Sequence, residues 1–163
     1  MMCNPKSNQN VSNQVMTEKE SLLNSLLDIL ITQRQTALAA AEDAHNDATN
    51  EQSVAETQYD TIGLEAAYLA HGQSQRVADI DVMIRKLKAL PLRNFSAEDE
   101  VDLGALVTLQ DGLTCWFLPV CGGVKLNEGK IVVITPQSPL GQKLDGAEMD
   151  EKLDDGRLII SVR

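Results

Sequence analysis

Two long stretches of the sequence carry apolar residues at the seven-residue spacing of helices that pack in pairs. The first stretch follows Thr17-Glu18-Lys19-Glu20, a pattern typical of a helix N-terminus because side-chain oxygens in it can accept hydrogen bonds from free backbone amides. Its apolar positions are Leu23, Leu30, Ala37 and Ala44. Those of the second stretch, which ends at Pro91, are Ile62, Leu69, Met83 and Leu90. Ala66, Ile80 and Leu87 flank this second series, and Gln73 and Arg76 interrupt it. Such narrow apolar seams predict the two helices of a coiled coil.

Neither helix can bury its seam alone, so we expect the two to fold back on each other as an antiparallel hairpin. This hairpin is predicted over residues 17–90, with its tip near residues 50–56 and a flexible polar leader over residues 1–16. The pairing brings Arg34 and Arg76 to about the same level along the two arms. The predicted seam is rich in leucine near the base of the hairpin and rich in alanine toward the tip. A hairpin that satisfies its own seam predicts a monomer.

A polar linker over residues 91–100 separates the hairpin from a segment of different pattern, residues 101–163. Here short apolar runs are broken by glycines, which predicts strands joined by turns. Ser138-Pro139 lies between the third and fourth runs and is typical of the start of a short helix. The four predicted strands are LGALVTLQDG, TCWFLPVCGG, KIVVITPQ and GRLIISVR. The fold class is therefore α+β: an antiparallel coiled-coil hairpin followed by a small β-sheet domain.

Negative charge is concentrated in the outer part of the predicted hairpin. The chain has a formal net charge of −10, and between Arg34 and Arg76 it holds seven carboxylates but no lysine or arginine. Solvated helices usually mix both signs of charge, which makes a merely solvated face a poor explanation. Unpaired acidity argues against nucleic-acid binding through phosphates and favours a basic protein surface or a metal ion as partner.

The remaining chemistry of the sequence is sparse. Three cysteines without CxxC spacing indicate free thiols in a reducing compartment, so we expect a cytoplasmic protein. No apolar run is long enough to predict a membrane span. The sequence also lacks a recognisable catalytic constellation of serine, histidine or cysteine.

Two segments carry a resemblance to a known family. They are IVVITPQSPLGQKLDG in the predicted sheet domain and YDTIGLEAAYLAHGQSQRVADID in the second helix. Together with the acidic hairpin, they resemble the Gre family of bacterial transcription elongation factors, GreA and GreB among them, over residues 17–163. The resemblance implies an N-terminal coiled coil and a C-terminal domain, residues 101–163, with a fold like that of FK506-binding proteins.

The resemblance also implies a function. Gre factors bind bacterial RNA polymerase at its secondary channel and stimulate its own cleavage of the RNA 3′ end in backtracked complexes. Carboxylates at the hairpin tip support the polymerase's catalytic Mg²⁺, which takes oxygen ligands. The factor's contact with the nascent RNA is indirect. The resemblance therefore implies a chain that is not itself an enzyme and binds no cofactor in isolation. The implied polymerase-docking residues here are Ser138, Pro139, Leu140 and Gly141.

Two separate arguments assign the tip acids, because this sequence departs from the family's Gly-Asp-Leu-x-x-Glu-Asn segment. The fold-back geometry favours Glu51 and Glu56, whereas the motif match favours Asp47 and Glu51. Glu51 satisfies both. Asp60 and Tyr59 are candidates for supporting the tip from the second helix.

Two alternatives to a cleavage factor stay open. A non-cleaving regulator with the same fold would occupy the polymerase's secondary channel without releasing RNA. An unrelated structural or interaction protein would share only the coiled coil, and would not bind polymerase.

Overall fold

The computed structural model describes residues 6–49 and 61–163 and divides into two compact units. The hairpin unit comprises Leu27–Arg85, and the sheet unit comprises Met1–Leu26 together with Lys86–Arg163. The predicted α+β class is confirmed: two long helices, α1 (Lys6–Thr49) and α2 (Thr61–Ala89), precede a five-stranded sheet. The finer prediction, a fold like that of FK506-binding proteins, stays a prediction.

Helix α1 begins earlier than the sequence pattern predicted. It starts at Lys6, which places Thr17 inside the helix and corrects the boundary of the flexible leader predicted over residues 1–16. Residues 6–16 are polar but contain no glycine or proline. Each asparagine or serine lowers the stability of a helix by only about 0.5 kcal/mol relative to alanine. No residue in this stretch therefore prevents α1 from extending to Lys6.

In the hairpin unit the helices run antiparallel. Arg34 Nε lies 2.6 Å from Asp81 Oδ1, and residues later in α1 share a groove with residues earlier in α2. Arg34 therefore lies opposite Asp81, rather than at the level of Arg76 as predicted, a difference in register of more than one helical turn. The chain reversal predicted near residues 50–56 falls outside the described residues.

The seam of α2 is shifted by one residue from its prediction. Leu69, expected inside, is 55% exposed, while Ile80 and Leu87 are buried as predicted. The partly buried positions along α2 include Gly63, Ala66, Ala70, Gln73, Val77 and Ile84. This series keeps heptad spacing without interruption and leaves Arg76 exposed, whereas the predicted series required Arg76 in the seam.

The sheet unit contains a mixed five-stranded sheet with strand order β3-β4-β2-β1-β5. Its strands are β1 (Leu106–Leu109), β2 (Thr114–Phe117), β3 (Lys125–Leu126), β4 (Ile131–Ile134) and β5 (Ile159–Val162). The four predicted strands are present, and β3 is an addition. Strands β2 and β4 pair in parallel, and the other neighbouring pairs are antiparallel.

One apolar cluster forms the core of the sheet unit. It joins residues of the strands to Leu144 of the short helix α3 (Pro139–Leu144) and to Phe95 from the segment after α2. Trp116 is fully buried and donates from its indole nitrogen to the backbone oxygen of Gly104 at 3.3 Å. The core therefore fixes the position of α3 at the end of β4, where the predicted docking residues lie.

Candidate functional site

The outer part of the hairpin unit, here called the distal segment, consists of described residues 35–49 and 61–75. It contains four carboxylates, all exposed, and no lysine or arginine: Glu42, Asp43, Asp47 and Glu65. None of the four forms an ion pair with a described residue. The distal segment consequently presents uncompensated negative charge to its surroundings.

Small side chains fill the seam of the distal segment. Ala37, Ala41 and Ala44 of α1 are buried, and α2 contributes Gly63 and Ala70 from its own seam. Small residues at facing positions let two helices approach closely. The predicted alanine-rich seam is thus present in both helices, next to the acidic surface.

A single ion pair marks the inner limit of the distal segment. Arg34 donates from Nε to Asp81 Oδ1 at 2.6 Å and from Nη2 to Asp81 Oδ2 at 3.4 Å. These hydrogen bonds lower the pKa of Asp81 and raise the pKa of Arg34. Beyond this pair, the described part of the hairpin has carboxylates without basic partners.

The predicted tip residues are only partly within the described structure. Asp47 lies in α1, two residues before its last residue, Thr49, and its side chain is exposed. It makes no hydrogen bond with a described residue, so its oxygens are available to a cation. Glu51, Glu56, Tyr59 and Asp60 lie outside the described residues, and their assignments stay predictions.

The predicted docking motif forms the start of α3. Ser138 caps the helix: its Oγ accepts from the backbone N–H of Gly141 at 3.0 Å and donates to the Thr135 carbonyl at 2.7 Å. Pro139 follows in the first turn, where its missing N–H costs nothing. A Cβ at Gly141 would lie 1.8 Å from the Thr135 oxygen, so only glycine fits. Ser138 and Gly141 thus have local structural roles.

The other two residues of the motif differ in exposure. Pro139 is exposed, whereas Leu140 is partly buried and packs against the core cluster. Of the four predicted docking residues, Pro139 therefore offers the most surface to a partner.

A shallow groove beside α3 adds residues that the sequence reasoning missed. Its walls are Pro139, Gln142 and Lys143 on α3 and residues 151–154 on the following segment. Lys143 Nζ lies 2.8 Å from Asp154 Oδ1, and this hydrogen bond raises the pKa of Lys143. No pattern in the sequence signals this pairing, because the two residues meet only through the path of the chain after α3.

Lys19 is a second residue whose environment the sequence did not reveal. Its side chain is fully buried in the sheet unit, donates to the Arg93 carbonyl at 2.7 Å and lies 4.8 Å from the centre of the Phe95 ring. Its pKa is lowered from 10.5 to about 8, chiefly by burial and in addition by the positive charges of Arg163 and Arg93. Glu18, beside it, pairs with Arg163 at 2.8 Å. This cluster ties the start of α1 to the sheet unit.

Metal and thiol chemistry find no support in the described residues. Across residues 6–49 and 61–163, no group of three or more histidine, cysteine, aspartate or glutamate side chains is arranged to hold a metal ion. His45 and His71 line one groove of the distal segment and are both exposed. Neither Cys115 nor Cys121 forms a disulfide bond with a described residue, and burial raises the pKa of Cys115 to about 11. No helix in the described ranges is long and apolar enough to cross a membrane.

Comparison with known proteins gives matches only among solved structures. No family model and no curated protein matches this chain. The GreA factor homolog 1 (Gfh1) protein of Thermus thermophilus shares 20% identity over 84% of this chain and 94% of its own, with a TM-score of 0.31.

Two further solved structures are similar to the same extent. One, described as the transcription factor Gfh1, shares 22% identity over 84% of this chain and 92% of its own, with a TM-score of 0.34. The other, Gfh1 of Thermus aquaticus, shares 20% identity over 83% of this chain and 92% of its own, with a TM-score of 0.32.

Proposed function

We propose that this chain is a cytoplasmic Gre-type factor that binds bacterial RNA polymerase at its secondary channel and stimulates cleavage of the RNA 3′ end in backtracked complexes. The observation that supports it is the distal segment: an antiparallel pair of helices with a small-residue seam, four exposed carboxylates and no basic side chain. A narrow acidic element of this kind suits insertion into a positively charged channel that ends at a metal site.

The tip carboxylates would act as ligands rather than as a complete active site. Asp47 is free of basic neighbours in the described structure, and Glu51 and Glu56 follow it in a part of the chain without lysine or arginine. Mg²⁺ binds oxygen ligands and lowers the pKa of the water that it holds. A basic residue near these acids would compete with the ion, so the absence of basic residues favours this role. The hydrolytic activity itself belongs to the polymerase.

Docking is assigned to the sheet unit. Pro139 and the groove beside α3 offer an exposed surface whose geometry Ser138 and Gly141 maintain from inside. In this proposal, Pro139 contacts the polymerase, and Ser138 and Gly141 hold α3 in the position that presents it.

A cleavage assay tests the proposal. A stalled, backtracked bacterial elongation complex with 3′-labelled RNA is mixed with the protein and Mg²⁺. We expect release of short 3′ fragments, with loss of release by Glu51→Ala and Asp47→Ala. Asp28→Ala, which removes an exposed carboxylate of α1 outside the distal segment, is the matched control and should leave cleavage intact.

Three other outcomes separate the alternatives. Binding to polymerase without fragment release would establish the non-cleaving regulator. Absence of binding, with self-association of the chain, would establish an unrelated coiled-coil protein. Wild-type cleavage rates in the combined Asp47, Glu51 and Glu56 alanine variant would disprove the role of the tip acids.

A further inference from the structure

Three large apolar side chains of α2 are exposed in the distal segment, and two of them, Leu64 and Tyr68, share a helix face away from the seam. Leu64 and Tyr68 are four residues apart, so they lie on one helix face, and they are 55% and 69% exposed. The seam positions Gly63, Ala66 and Ala70 lie on the other side of the same helix. Tyr68 makes no hydrogen bond or ring contact with a described residue.

Tyr68 is exposed, unlike the other aromatic residues that the structure describes. The sequence holds only five aromatic residues, and Phe95, Trp116 and Phe117 are all buried in the sheet unit. An exposed tyrosine next to an exposed leucine on a narrow helical pair is not needed for packing. Tyrosine is among the residues that most often supply binding energy at protein interfaces.

The charges around this pair identify the chemistry of its partner. Glu65 lies between the two side chains in sequence, and Glu42, Asp43 and Asp47 are exposed on α1 of the same unit. Nucleic acid and an anionic membrane would be repelled, because no lysine or arginine is present in the distal segment. A second copy of the distal segment would be repelled for the same reason. A positively charged protein surface is attracted.

We propose that Leu64 and Tyr68 form an anchor that enters an apolar cleft on a positively charged protein surface. The inference rests on the proposed function, under which that surface is the wall of the polymerase's secondary channel. The acids set the approach and the salt dependence of binding, and the anchor supplies most of the binding energy of the distal segment.

The test measures binding to purified bacterial RNA polymerase core enzyme by competition with labelled wild-type protein. We expect Leu64→Ala/Tyr68→Ala to bind at least about tenfold more weakly, as loss of a central aromatic anchor does. Val82→Ala is the control: Val82 is 40% exposed on α2 but lies outside the distal segment, and its removal should leave affinity unchanged. Circular dichroism confirms equal helix content in all three proteins.

A photocrosslinking residue at position 68 provides a second readout. In the complete elongation complex we expect it to label a polymerase subunit. Labelling of RNA or DNA instead would overturn the inference.

The outcomes separate this inference from the function beneath it. If wild type binds polymerase and the double variant binds equally well, the anchor is wrong and the proposed function stands. If wild type does not bind polymerase, the proposed function fails and the anchor assigned to it fails as well.

Discussion

Replacing Lys19 with methionine should change how the stability of the sheet unit depends on pH. The Lys19 ammonium group is fully buried, with a backbone carbonyl and the Phe95 ring as its nearest partners and two arginines close by. Its pKa falls from the ordinary value of 10.5 to about 8 in the folded protein. Folding therefore disfavours the charged form, and methionine has a similar length without the charge.

The order of the folded and unfolded pKa values of Lys19 decides whether the free energy of unfolding rises or falls with pH. Below pH 8 Lys19 is protonated in both the folded and unfolded states, so the full cost of burying the charge, about 3 kcal/mol, is present. Between pH 8 and 10.5 the folded protein loses the proton first, and the free energy of unfolding rises with pH. From pH 7 to pH 9 the wild type should gain about 1.3 kcal/mol relative to Lys19→Met.

Urea unfolding at pH 7, 8 and 9 measures this difference. The chain has one tryptophan, Trp116, which is buried in the same unit as Lys19, so its fluorescence reports the relevant transition. Burial raises the pKa values of Cys115 and Cys121, which lowers stability at alkaline pH, but this effect is common to both proteins and cancels. The Arg93 carbonyl left without Lys19 shifts the variant by an amount independent of pH. Parallel stability profiles for the two proteins would refute the reasoning.

Three further predictions concern backbone fit, capping and the hairpin ion pair. Gly141→Ala should destabilise the sheet unit by about 1–3 kcal/mol, because α3 must move away from Thr135 to make room for the new methyl group. Gly72→Ala should stabilise α2 by about 0.5–1 kcal/mol, because position 72 faces open space and alanine favours a helix more than glycine does. Urea unfolding measures both changes. Ser138→Ala should cost about 1 kcal/mol through loss of the α3 cap, and a variant as stable as wild type would contradict that role. Asp81→Asn should lower the thermal midpoint of the helices at neutral pH and low salt. Because the pKa of Asp81 is lowered in the folded state, this difference should vanish as the pH falls through that pKa, and a difference that persists in acid would count against the ion pair.

Local signals in the sequence were enough to predict much of the fold. The seven-residue spacing indicated both long helices, and Ser138-Pro139 indicated the start of α3 because capping depends on neighbouring residues only. Gly112 and Gly123, in predicted turns, have the positive φ angles that glycine tolerates best.

Features that depend on contacts between distant residues were not predictable. Two heptad series one residue apart fit α2, and only packing against α1 selects the one that leaves Leu69 and Arg76 exposed. Strand β3 has two residues, too few for any alternation to be read. Lys19 looks like a surface residue of a helix, and its burial depends on residues more than seventy positions away.

The candidate site, like the fold, could be predicted only in part. The acidic character of the distal segment is a property of composition and was visible at once. The need for glycine at position 141 could not be predicted, because it arises from the close approach of α3 to the Thr135 carbonyl.

The pairing of Glu18 with Arg163 joins residues 145 positions apart, and this has a consequence for synthesis on the ribosome. Strand β5, which borders β1, is made last among the strands, so neither the sheet edge nor the cluster around Lys19 can close until residues 159–163 have emerged. The hairpin unit, whose ion pair spans 47 positions, can form while translation continues. A nascent chain should therefore carry a finished hairpin beside an open sheet, with the apolar residues of β1 and α1 exposed to chaperones during that interval.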